Sequence, residues 1–437
     1  MKSYHFLTVI LVFWLISFLS ATGTAHAENS TCAFQQPVAD LLAQTQSWSW
    51  ANWIEALSGA KSVSIGDETT RITTRYSYPM FSGETNARAF EYILEQVALL
   101  TPANPVELDD FIYKTYTWKN LIVELPGAVH PDQVVILSAH LDSTSSDPLH
   151  NAPGAEDNAS GSAALLEALR VLRTQQFEKT LRFIWFTGEE QGLKGSIAYV
   201  TDHSMTGVTG VINLDMFGYD SNNDRCFELH VGSLAASQEI GSCFVSVNQA
   251  YNLGLSMDYI TANPTYSSDH ASFWNKSVGA VEVLENFSNQ NLVGGCVGSD
   301  KNPYYHTIND TIGQMNISSG FAITQAALAS AASLAVPLGS CFESSPQLNV
   351  DYQPASVNLT WTAVTDASAY RVLRSTASCN GPWEQVAEVT GTSWSRGFTG
   401  DAPKEIYRVD ARDGTCYSIP SNCVNNFEKH FLPQIFK

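Results

Sequence analysis

Five short stretches carry residues that could do chemistry together. Ser138-Ala139-His140-Leu141-Asp142 places an imidazole two residues before a carboxylate. Gly154-Ala155-Glu156-Asp157-Asn158-Ala159-Ser160-Gly161 places acids just ahead of small residues that open a helix. Phe186-Thr187-Gly188-Glu189-Glu190-Gln191-Gly192 carries a Glu pair, Asn213-Leu214-Asp215-Met216 another acid, and Tyr305-His306-Thr307 a second imidazole. Singly, each has an ordinary reading. A strand-end His is hydrogen-bonded, a Glu pair is a solvated face, and Asp157 is an N-cap. As a set they read differently, because two His and three carboxylates brought to one place repel one another unless cations sit among them. Mixed imidazole and carboxylate donors suit zinc.

The elements around these stretches say why they should converge. Leu121–Leu125, Val134–Leu141, Leu181–Thr187, Val208–Met216 and Val278–Leu284 are short apolar runs that read as buried strands. Ser160–Arg173 has apolar residues at helical spacing, and Asn316–Ala335 reads as an Ala-rich helix. This alternation predicts an α/β fold, a mostly parallel mixed sheet with helices on both faces. Such sheets hold ligands at the carboxyl ends of their strands, where four of the five stretches lie. After a linker at 340–346 the texture changes. Val357–Trp361, Ala369–Val372 and Tyr407–Val409 alternate apolar and polar residues between Gly, Ser and Thr, which predicts a small all-β sandwich. The expected organisation is a secretory signal over 1–27, an α/β domain over 28–340 and the sandwich over 345–430. Glu28 to about Leu100 reads as helix–loop–helix within the α/β domain.

The order His-x-Asp, Gly-Ala-x-Asp-x-Ala-Ser-Gly, Gly-Glu-Glu-x-Gly-x-x-Gly-Ser, Leu-Asp-Met and His-Thr resembles the co-catalytic zinc aminopeptidase family of secreted bacterial leucyl aminopeptidases, over roughly residues 30–340. The resemblance implies a zinc exopeptidase-like fold and two Zn2+ per chain. Asp157 would bridge both metals, His140 and Asp215 would complete one site, and Glu190 and His306 the other. Glu189 would be the general base. Asp142 would orient His140 by accepting its second N–H. The peptide bond after the bridging Asp, Asp157–Asn158, would be cis. Met216, with Phe217 and Tyr305, would line an apolar pocket for the N-terminal side chain. Tyr266 would stabilise the oxyanion, although its spacing to Ser268-Asp269-His270 is one residue off the family's. Asp269-His270 itself is read as structural.

Composition bounds the partners. A formal net charge of −20 disfavours nucleic acid and anionic lipid. Lys2, the apolar run Phe6–Leu19 and Ala25-His26-Ala27 make a cleavable export signal, which predicts a secreted protein with no membrane contact after cleavage. Eight cysteines in an exported chain imply disulfides held within domains, with Cys379 joined to Cys416 or Cys423. The expected partners are peptides with a free N-terminus, and a surface or partner for the sandwich. Trp361, Trp383 and Trp394 read as sandwich core. Asn309-Asp310-Thr311 is noted as a glycosylation sequon. Carboxypeptidases and one-zinc glutaminyl cyclases share the scaffold, and metal-free binding ectodomains are a reading of another class; Gly188–Ser196 looks like the peptidases.

Overall fold

The computed structural model describes residues 32–77, 86–101, 104–290, 292–338 and, with short intervals left out, 342–425. The signal expected over 1–27, Cys341, Cys379, the side chain of Cys416 and the tail beyond 425 lie outside the described residues.

The chain opens with helices α1 (Gln36–Leu42) and α2 (Ser47–Leu57), a small hairpin of β1 (Val63–Ile65) and β2 (Glu68–Thr70), and helix α3 (Ala87–Leu100). The main sheet then takes β3 (Val106–Tyr113), β4 (Tyr116–Leu125), β5 (His130–His140), β6 (Lys179–Phe186), β7 (Val208–Leu214), β8 (Cys226–His230), β9 (Ser256–Ile260) and β10 (Ala280–Glu285). Its order is β3-β4-β6-β5-β7-β10-β8-β9, and the four strands at its centre, β6, β5, β7 and β10, run parallel. Most of their residues are buried, as expected of strands covered on both faces.

Helices α4 (Ser160–Leu172), α6 (Ala235–Ala250) and α8 (Ile317–Ala335) pack with α2 into the larger core. Helices α5 (Lys194–Asp202) and α7 (His270–Trp274) cover the other face, where Tyr199 of α5 packs with Ile136, Ile184 and Phe186. Trp185 is fully buried, and a side chain of that size contributes at least about 1.5–3 kcal/mol by leaving water. The chain leaves β5 through α4 to β6 on one side, then returns through α5 to β7 on the other. The resulting switch point opens a crevice beyond the carboxyl ends of β5 and β7. Register holds those ends level: His140 pairs with Phe186, and Ser138 with Asn213.

The N-terminal segment holds α1, α2, the hairpin and α3 rather than a plain helix–loop–helix, and Cys32–Cys243 ties it to α6. Cys226–Cys296 closes a second loop beside β8, and Cys423 is also in a disulfide.

Two small antiparallel sheets follow. One joins β11 (Leu348–Gln353), β12 (Ser356–Trp361) and β15 (Ser393–Gly397); the other joins β14 (Glu384–Val389), β13 (Ala369–Ser375) and β16 (Ile406–Asp413) with two short strands. Val357, Leu359 and Trp361 meet Tyr370, Val372, Tyr407 and Val409 in their own core, with Trp394 packed against it. Trp383 departs from the expectation. It stacks under Arg408 at 4.4 Å and lines a cavity of about 480 Å³ shared with Leu125 and Phe177. The sheet carrying Arg408 also buries a bidentate Arg371–Asp410 pair, at 2.9 and 2.8 Å.

Candidate metal centre

His140 is the last residue of β5. Its Nδ1–H donates to the backbone carbonyl of Asp142 at 3.0 Å, which fixes the ring with Nε2 aimed at acids. That Nε2 lies 3.2 Å from Asp157 Oδ1 and 3.0 Å from Asp215 Oδ1. On the other side, His306 Nε2 lies 3.1 Å from Asp157 Oδ2 and 3.1 Å from Glu190 Oε2. Asp157 therefore gives one oxygen to each imidazole, and two three-donor groups share it: His140, Asp157 and Asp215, and Asp157, Glu190 and His306.

The backbone is shaped around this carboxylate. The Asp157–Asn158 peptide is cis, as the resemblance implies. Asp310 accepts from the N–H groups of Glu156 and Asp157, both at 3.1 Å. Asn158 Oδ1 accepts from Gly161 N–H at 2.8 Å, and its amide donates to the Leu214 carbonyl at 2.8 Å. Arg75, fully buried, donates to the carbonyls of Leu57, Leu141, Pro153 and Gly154, so one guanidinium ties the β5 end to the Asp157 loop. Glu156 accepts from Gly218, Tyr219 and Asn302. Arg75, Glu156, Asn302 and Asp310 were missed in the sequence. Glu156 stands in the Gly154–Gly161 stretch with no role assigned to it, Asp310 stands only within a sequon, and Arg75 and Asn302 carry no motif.

Asp142 does a different job from the one expected. Its carboxylate is 3.7 Å from His140 Nδ1. It accepts instead from the N–H groups of Gly188, Glu189 and Glu190, at 3.0, 3.2 and 3.2 Å. The carbonyl of Asp142 orients the imidazole, and its side chain fixes the loop that presents Glu189 and Glu190.

Glu189 lines the same cleft as Asp157, Asp215 and His306. Burial pushes its carboxyl well above the usual range; the His140 charge opposes this, and Asp215, Asp269 and Glu190 reinforce it. Burial, with the Asp157 charge, raises Glu190 to about 7. For Asp157 burial also pushes upward, but hydrogen bonds from both imidazoles outweigh it and hold the carboxyl well below its ordinary value. Glu190 Oε1 is buried with no hydrogen-bond partner. Crowded acids, an orphaned oxygen and two imidazole nitrogens turned on one shared carboxylate fit a divalent-metal pair, and the nitrogen–oxygen donor set fits zinc.

Two expected residues are not brought to this site. The Tyr266 side chain is 60% exposed and packs edge-on against Trp274. Phe217 is buried in the main core and stacks on Trp50. Met216 and Tyr305 do line the cleft. His270 is buried and donates from Nε2 to the Thr265 carbonyl at 3.1 Å.

Fold and site together define an α/β protein with two adjoining groups of side chains able to hold metal at the carboxyl edge of a mostly parallel sheet. Residues 120–331 match peptidase family M28, and the chain resembles the aminopeptidases of that family in sequence and fold. A probable leucine aminopeptidase of Trichophyton verrucosum is 29% identical over 245 residues, covering 53% of this chain and 62% of the relative. Another, of Arthroderma otae, is 30% identical over 256 residues, covering 56% and 64%. The chain thus spans less than two thirds of the length of these curated relatives. Among solved structures, the Legionella pneumophila LapA aminopeptidase superposes with a TM-score of 0.55 at 19% identity, over 77% of this chain and 81% of that one. A glutaminyl cyclase of Porphyromonas gingivalis gives 0.51 at 15% identity, over 65% and 96%. These last two likenesses are of fold.

Proposed function

We propose that the chain is an extracellular zinc aminopeptidase that removes single residues from peptide N-termini. The observation that carries this is Asp157, whose two oxygens are turned to two imidazoles, each with its own further carboxylate. His140, Asp157 and Asp215 would hold one zinc ion, and Asp157, Glu190 and His306 a second. When bound, such a pair supplies Lewis acidity toward the scissile carbonyl and makes water a stronger acid.

The rest falls to the chain's own residues. Glu189 lines the cleft and has no ligand role, so it is the group free to move a proton. It takes a proton from the attacking water as the water oxygen bonds to the carbonyl carbon. It returns that proton to the departing nitrogen as the carbon–nitrogen bond breaks. Asp142, through three backbone N–H groups, holds Glu189 and Glu190 in register for this. The crowded carboxylates attract a free α-amine and gain nothing from an acylated one, which favours an exopeptidase reaction. Disulfides at Cys32–Cys243 and Cys226–Cys296 accord with an extracellular setting.

Replacement Glu189→Gln tests the assignment. Turnover should fall about 10²–10⁴-fold while bound zinc, read by atomic emission, stays the same. A variant that keeps most of its activity removes Glu189 from this role. The apolar preference implied by Met216, Phe217 and Tyr305 is weakened by Phe217's place in the core.

A further inference from the structure

The cleft beside the metal groups, about 320 Å³, has an acidic wall. Strands β8 and β10 build it. Their antiparallel register sets Glu282 opposite His230 and Leu284 opposite Glu228. Along β10, Val281 and Val283 enter the main core while Glu282 and Leu284 line the cleft; along β8, Phe227 and Leu229 enter the core while Glu228 and His230 line it. Two carboxylates thus occupy positions in the middle of a sheet where apolar side chains are the norm. Glu228 is 1% exposed and Glu282 2%.

Among the described residues, no Lys or Arg pairs with them. Glu228 accepts from His230 Nε2 at 2.8 Å and from the Ser288 N–H. Thr265 N–H donates to His230 Nδ1 at 3.0 Å, so this ring carries its proton on Nε2 alone and adds no charge. Glu282 Oε2 is buried without a hydrogen bond and faces His270 Nδ1 at 3.3 Å. His270 spends its proton on the Thr265 carbonyl, and burial pushes the ring down to about 3. Lys301 places its ammonium over the rings of Phe287 and Tyr305. An unanswered buried carboxylate is costly unless a ligand completes it.

We propose that this cleft selects a basic N-terminal residue, lysine or arginine, in place of leucine. Glu282 would accept from the ammonium or guanidinium head, with Glu228 adding negative charge from the neighbouring strand. Met216, Leu284 and Phe287 would flank the aliphatic stem, the usual division of a long basic side chain. The inference rests on the aminopeptidase reading above.

The test uses the zinc-loaded full chain with the p-nitroanilides of Arg, Lys, Leu and citrulline, the last a neutral match to arginine's shape. Arg and Lys should exceed Leu and citrulline in kcat/KM by about tenfold or more, as a charge-assisted hydrogen bond allows. In Glu282→Gln the ratio of Arg to citrulline should drop by a similar factor. Leucine preferred by the unaltered protein, or an equal loss on all four substrates in Glu282→Gln, overturns the proposal. If that variant does not fold, the Arg-to-citrulline ratio of the unaltered protein and of Glu228→Gln decides in its place. No hydrolysis of any of the four by protein with bound zinc overturns the aminopeptidase reading itself, and this inference with it.

Discussion

At the scale of residues, Asp142 is the side chain whose removal separates the present account from a simpler one. If its carboxylate holds the Gly188–Glu190 loop, Asp142→Asn turns an acceptor into a donor facing backbone N–H groups. Glu190, a proposed ligand, would loosen. Zinc affinity should then fall about 10–100-fold, measured by competition with a chelator, and an unchanged affinity would leave Asp142 without this role. His140, Asp157, Glu189, Glu190, Asp215 and His306 were all legible in the sequence as a group, because each sits in a short motif, at or after a strand end or, for His306, in the loop before the last helix, and the motifs come in a fixed order. Which atom of Asp142 reaches the imidazole was not legible. A two-residue spacing allows either the carbonyl or the carboxylate, and only the turn after β5 decides. Tyr266 and Phe217 show the same limit: a motif neighbour can point away from the site when a core position or an aromatic partner claims it.

At the scale of elements, the site depends on two irregular loops held by buried polar groups. Arg75 spans them with hydrogen bonds of 2.6–2.8 Å to four carbonyls. Burial lowers its guanidinium to about 10; the charges of Asp310, Asp157, Asp142 and Glu190 oppose this, and it stays a cation. Arg75→Met would remove the donor from the carbonyls of Leu57, Leu141 and Pro153, while Gly154 keeps the N–H of Ala159. Each acceptor so stranded costs about 1–3 kcal/mol, so the loss should reach at least about 3 kcal/mol in denaturant unfolding, and a change under about 1 kcal/mol would contradict the clamp. Arg75 was not foreseen, because it lies in an irregular stretch with no periodicity and no motif. The strands and helices around it were foreseen, since β4 to β7 and α4 carry unbroken apolar runs or helical spacing. Strands β3, β8 and β9 were not, as their charged residues break the apolar pattern. In β8 those same charges, Glu228 and His230, form the wall argued to set specificity.

At the scale of the whole molecule, Cys32–Cys243 spans 211 residues and ties the first helices to α6. Replacing both with Ser should cost about 2–5 kcal/mol, seen as a lower Tm, whereas an unchanged Tm would mean the segment is held by packing alone. The two C-terminal sheets carry none of the proposed chemistry, which lies between residues 140 and 306. Deleting residues 345–437 should spare hydrolysis of small substrates and, if the sandwich anchors the enzyme to a surface, abolish its retention there. The formal charge of −20 makes that surface a poor match for nucleic acid or anionic lipid. The central claim, a metal pair serving a free-amine substrate, is tested most directly by stripping the purified full chain of metal and returning zinc by titration. Hydrolysis is followed on Arg- and Leu-p-nitroanilide and on their N-acetylated forms. The account predicts full activity at two zinc ions per chain, on free-amine substrates alone. Saturation at one zinc, or equal cleavage of the acetylated forms, would contradict it.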